Sequence, residues 1–169
     1  MTTMLILSIL LVALFTGAAI WKLRALPESF SSLVGLFDGA WRWLWSAWLA
    51  MVSILTFAPV VEMLDGRGLG ILGFLPMAML MFVAAWPIFD REHYKWHNIL
   101  GTVAGVMTQA IVAIISPAWL SVWIAFLFLI GSVFVQPEGK LAKAVKGKAV
   151  FIAEMACYIA LVGALLVNL

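Results

Sequence analysis

Charge is what this chain has least of. Of its 169 residues ten are Lys or Arg and eight are Asp or Glu, against 66% apolar residues and a mean hydropathy of +1.15. That balance excludes a compact soluble domain, because a chain this short cannot bury so much apolar surface in one core. Cysteine is nearly absent: Cys157 stands alone and can make no internal disulfide. There are only two histidines, His93 and His97, so any metal site must borrow a further ligand of another type. The net charge of +2 is not gathered on one solvated domain, and no nucleic-acid partner is expected.

What the chain does have is long apolar runs. Six of them, near residues 3–20, 40–61, 71–89, 99–115, 118–135 and 150–167, approach the roughly 20 residues that cross a hydrocarbon core of about 30 Å. Nine of the ten Lys and Arg residues fall in alternate gaps: Lys22, Arg24 and Arg42, then Arg91 and Lys95, then Lys140, Lys143, Lys146 and Lys148. The other gaps receive only Arg67. Because cytoplasmic loops carry the excess of Lys and Arg, this pattern predicts an all-α polytopic bundle of six transmembrane helices with both termini non-cytoplasmic. It is read as a single domain over residues 1–169, in the cytoplasmic (inner) membrane of a bacterium. The first segment lacks a basic leader and is followed by Lys22 and Arg24, which favours a retained helix, although Gly17-Ala18-Ala19 resembles a cleavage site.

The connections carry the next expectations. Residues 21–39 turn at Pro27, and Pro27 and Glu28 suit the first turn of a short helix lying along the membrane surface. Residues 90–98 hold both histidines, and residues 136–149 hold four lysines that can meet anionic lipid headgroups. Trp41, Trp45 and Trp48, like Trp119 and Trp123, sit near span ends and read as interfacial anchors. Gly101 and Gly105 form a GxxxG pair. With the stripe Ala149, Ala153, Ala156, Ala160 and Ala164, that pair predicts close helix contacts, within the chain, in a homo-oligomer or with a membrane partner.

Polar residues in or beside the spans are the candidates for function, since a charge in hydrocarbon costs roughly 2.5–3.5 kcal/mol on the insertion scale. Glu154 shares a helix face with Cys157 and Tyr158 and either snorkels toward the nearby lysines or serves a site. His97, Gln109, Glu154 and Tyr158 form a candidate polar track from the cytoplasmic surface toward the midplane. Glu62 and Arg67 border a non-cytoplasmic hairpin and are expected to pair in the interface. Asp90, His93 and His97 are spaced to share one helical face and are weak metal-ligand candidates, with Asp90 equally suited to cap segment four. No metal is favoured and no cofactor is expected.

Pro59-Val60-Val61-Glu62, then Gly73-Phe74-Leu75-Pro76 leading to Phe82-Val83-Ala84-Ala85-Trp86-Pro87-Ile88-Phe89, then His97 and Gln109, resembles a family of small polytopic membrane proteins of Bacteroidetes and their phages. Leu26-Pro27-Glu28-Ser29-Phe30-Ser31 is similar to that family's first loop. The resemblance implies a topology and the importance of His97, Gln109 and Glu62, but no reaction. A looser likeness to intramembrane metal hydrolases such as alkaline ceramidases meets a chain with two histidines where three are needed. Three classes follow: a bundle that binds or transports a small solute or lipid, which is favoured; a structural or regulatory subunit without chemistry; and a metal-dependent intramembrane hydrolase.

Overall fold

The structure, a computed structural model, describes residues 1–39, 42–85 and 91–169, with side chains at all of these except 91–94. Its helices are α1 (Thr2–Leu23), α2 (Arg42–Asp65), α3 (Gly70–Ala85), α4 (Arg91–Ile115), α5 (Val122–Val135), α6 (Lys140–Val145) and α7 (Ala149–Asn168). Two 3-10 helices, Ser31–Leu36 and Pro117–Ser121, precede α2 and α5, and no strand occurs among the described residues. The apolar runs coil into helices because hydrocarbon offers no partner to the backbone, so each N–H and C=O must be satisfied within its own segment. Five stretches are long and apolar enough to cross a membrane: Thr2–Leu23, Arg42–Asp65, Lys95–Ile115, Pro117–Val135 and Ala149–Asn168. The sixth apolar run is the shorter α3, of 16 residues.

Two apolar clusters hold the helices together. Leu5, Phe57, Val60, Leu64, Ile111, Val112, Leu161 and Leu165 join α1, α2, α4 and α7 toward one end. Val12, Ala19, Leu33, Val34, Trp45, Trp48, Val52 and Val83 join α1, the 3-10 helix Ser31–Leu36, α2 and α3 toward the other, where the basic connections gather. The tight α2–α3 pair depends on Gly73, where an added Cβ would sit 3.1 Å from the Val61 backbone nitrogen. Gly68, at φ +70, takes the left-handed turn between them. No residue of α5 is buried.

Several sequence expectations are corrected here. The connection 91–98 is helical and opens α4, so the span boundary near 99 is late, while His97 lies on a helix as its spacing from His93 allows; Asp90, Trp41 and Trp86 fall outside the described residues, and so does the side chain of His93. The short helix expected in 21–39 is present as the 3-10 helix Ser31–Leu36, but it belongs to a strap tucked into the bundle and not to the surface, because Leu33 and Val34 pack under Trp45 and Trp48. Those tryptophans are not anchors at the headgroups. Trp45 is 1% exposed and Trp48 9%, and both donate to backbone oxygens, of Phe30 at 2.8 Å and Leu11 at 3.2 Å. An indole N–H buried in apolar surroundings needs an acceptor, and helical spacing alone does not say where one lies. The lysine loop contains α6, which buries Ala142 and Val145 beneath its exposed lysines. Its ion pair, Lys143 to Glu138 at 2.9 Å, is exposed and contributes little. Glu62 and Arg67 make no ion pair with each other: Glu62 is exposed on α2 and Arg67 is exposed in the following turn.

Candidate functional site

The strap between α1 and α2 is the key to the site. Phe30 is held at both ends of its peptide: its N–H donates to Glu154 Oε2 at 2.7 Å, and its carbonyl accepts from Trp45 Nε1 at 2.8 Å. Two residues earlier, the Glu28 carbonyl accepts the Phe151 N–H at 3.0 Å, one of the α7 first-turn donors that the helix itself cannot satisfy. One residue later, Ser31 Oγ lies 2.7 Å from His97 Nε2. The strap thus joins α2, α4 and α7 at the basic end. Glu154 turns inward to a backbone donor rather than outward to lysine, which answers the snorkelling alternative: its carboxylate replaces water for a peptide that would otherwise be buried unpaired.

Beneath the strap lies a cavity of about 460 Å³, within the range of small-molecule sites. His97, Gln109, Glu154 and Tyr158 all line it. Gly101 and Gly105 line it as well, and neither makes the close contact expected of a GxxxG seam. A Cβ at Gly101 would meet nothing within 4 Å, and one at Gly105 only the Cys157 sulfur at 3.8 Å. The missing side chains here make room for the cavity. The alanine stripe does pack within the chain, with Ala156, Ala160 and Ala164 buried, whereas Ala153 faces the cavity.

The two ends of the cavity differ. Ser31, His97, Asn98 and Glu154 cluster at the basic end. Gln109 lies 12 residues along α4 from His97, about 18 Å at 1.5 Å per residue. Trp123 Nε1 donates to Gln109 Oε1 at 2.8 Å. Indole is donor-only, so this bond fixes the amide and turns its NH₂ away from Trp123. That nitrogen has no hydrogen-bond partner among the described residues and is set beside the Cys157 thiol, a weak acceptor. Between the ends the walls are largely apolar, from Val12, Val52, Val83 and Leu161 among others. Asn98, Thr102 and Val106 of α4 and Val150 of α7 line the cavity yet are exposed, so it opens sideways between these helices.

A hydroxyl cluster braces the wall opposite. Ser8 is fully buried in α1, with Oγ 2.7 Å from Thr56 Oγ1 and 2.8 Å from the Tyr158 hydroxyl, so three helices meet at one serine. Tyr158→Phe is expected to lower stability in detergent by about 0.5–1.5 kcal/mol, the net worth of one hydrogen bond, and Thr56→Val by a similar amount. Unfolding curves for both, beside Ser8→Ala, check this; a Ser8→Ala loss no larger than either single removal would mean the two bonds do not act together.

Sequence reasoning passed over Ser8, Thr56, Asn98 and Ser31's role. The detectable signal is Ser8, one of three hydroxyls, with Thr3 and Thr16, in an otherwise apolar run. Among the described residues no three His, Cys, Asp or Glu side chains come close enough to hold a metal ion. No family model matches the chain, and neither a curated protein nor a solved structure does.

Proposed function

We propose that this chain is a six-span bundle of the bacterial cytoplasmic membrane that binds a lipid-like amphipath in the cavity beneath its strap, with the basic end facing the cytoplasm. The observation that carries the reading is the cavity itself: apolar along its length, polar at the basic end, and open between α4 and α7 to the surrounding hydrocarbon. A molecule with one polar end and an acyl chain matches that division. Its polar part meets Asn98, His97 and Ser31, and its chain runs along the apolar walls toward Gln109, whose unpaired NH₂ offers a second polar contact. The basic connections attract anionic headgroups to the same end, at about 1 kcal/mol per Lys or Arg near a charged surface. A partner-binding role has one observation in its favour, the uncovered face of α5, where Ile124, Phe128 and Phe134 are all more than 70% exposed. Lipid satisfies that face equally well.

Gly101→Leu tests the cavity. Its Cβ has open space, and leucine is a better helix former than glycine by up to about 1 kcal/mol, so the variant fills the site without straining the helix. The expected result is loss of co-purified lipid in native mass spectrometry with unchanged or raised thermal stability. Retention of the parental lipid complement would refute the reading.

A further inference from the structure

We propose that Ser31 and His97 form a nucleophile–base pair that hydrolyses a carboxylic ester of a lipid lying in this cavity; the substrate, though not the pairing, rests on the lipid-binding reading above. Three serines occupy the strap, and their environments differ. Ser29 and Ser32 are committed to each other's backbone: Ser32 N–H donates to Ser29 Oγ at 2.9 Å, Ser29 N–H to Ser32 Oγ at 3.1 Å, and Ser32 Oγ to the Ser29 carbonyl at 2.7 Å. Ser31 alone turns to an imidazole, at 2.7 Å, inside the 2.6–3.2 Å reach that proton transfer needs.

The pair is rigidly set. The peptide before Ser31 is clamped by Glu154 and Trp45, and His97 is 3% exposed on α4 with its ring centroid 6.2 Å from that of Trp45. Such fixation of both partners by packing and by a supporting layer of hydrogen bonds is what a working site requires. Both line the cavity at its polar end, where an acyl carbonyl next to a headgroup would lie, and Asn98, the next residue on α4, brings amide donors to the same wall.

The chemistry balances with water as the only co-reactant. With the imidazole proton on Nδ1, the Ser31 hydroxyl donates to Nε2; Oγ bonds to the ester carbonyl carbon as its proton passes to Nε2. The tetrahedral adduct collapses, the C–O bond to the alcohol breaks, and His97 returns the proton to that leaving oxygen. Water from the basic end, deprotonated by His97, then attacks the acyl-serine, releasing a fatty acid and restoring the hydroxyl.

The test uses the full chain in phosphatidylethanolamine–phosphatidylglycerol nanodiscs, treated with an alkyl fluorophosphonate, which phosphonylates an activated serine with loss of fluoride. Peptide mass mapping should place the adduct on Ser31 and not on Ser29 or Ser32. His97→Gln should slow labelling by about a hundredfold or more, the contribution typical of a general base. Ser31→Ala, which removes the hydroxyl, should lose the adduct. No adduct on Ser31, equal labelling of all three serines, or parental labelling of His97→Gln each overturns the pair. Lipid loss in Gly101→Leu without any Ser31 adduct in the parent would leave the cavity standing and the dyad refuted. Ser31 labelling with lipid unchanged in Gly101→Leu would uphold the dyad and refute the cavity reading.

Discussion

Gly163→Ala should destabilise the protein by about 1–3 kcal/mol, the usual cost of overpacking a filled interior. Gly163 lies in the buried run of α7, and a Cβ built there would overlap the six-membered ring of the Trp119 indole. Trp119 belongs to the 3-10 helix Pro117–Ser121, which leads into α5. An indole cannot fold out of the way as a lysine tail can, so the helix carrying it has to shift. α5 has no buried residue of its own, so this junction is one of the few contacts that place it, beside α6, α7 and the Trp123–Gln109 bond. The shift should also reach Trp123, four residues on, and weaken its bond to Gln109 at the deep end of the cavity. Truncating the ring should relieve the conflict: in a cycle with Trp119→Ala, the double variant should lose clearly less stability than the two single losses added. Strict additivity in detergent unfolding would show that the contact is not the cause.

How far the sequence could be read follows from which physical constraint acts on each residue. Apolar runs and the segregation of Lys and Arg report directly on the solvent, so the helical segments were legible to within a few residues, except where α4 begins earlier than its apolar stretch. Helix neighbours are set by packing in three dimensions, which no spacing along one helix reveals. Gly101 and Gly105 illustrate this: the same pair can let two helices touch or leave a hollow, and only the position of α7 decides. Trp45 and Trp48 resemble interfacial anchors until the strap folds over them: the Phe30 carbonyl, 15 residues earlier, supplies an acceptor to Trp45, and Leu11 of α1 supplies one to Trp48. His97, Gln109, Glu154 and Tyr158 stand out because polar groups are costly in hydrocarbon, and all four line one cavity. Their partners were not legible, since Glu154 is matched to a backbone N–H, which every residue but proline carries and which leaves no mark in a sequence.

That pairing makes Glu154 the second sensitive position, and two opposed effects decide the outcome of replacing it. Glu154→Leu removes a carboxylate from an apolar helix, which favours insertion, but Glu154 sits near the basic end of α7, where depth and snorkelling make that gain small. The same change strips the Phe30 N–H of its acceptor in a strap already enclosed by Trp45, Trp48 and Phe151. An unpaired buried N–H costs about 1–3 kcal/mol, so the loss prevails and Glu154→Leu should be destabilising. Glu154→Gln keeps a side-chain oxygen at the same reach and should stay close to the parent. Since Phe30 positions Ser31, release of the strap should also loosen the contact with His97, so the leucine variant and His97→Ala should share a more mobile strap. Hydrogen exchange at the Phe30 amide separates the cases: strong protection in the parent and in Glu154→Gln, and fast exchange in Glu154→Leu. Equal protection in the leucine and glutamine variants would mean that the strap is held by its apolar contacts with Leu33 and Val34 alone, and that Glu154 is free to serve the cavity instead.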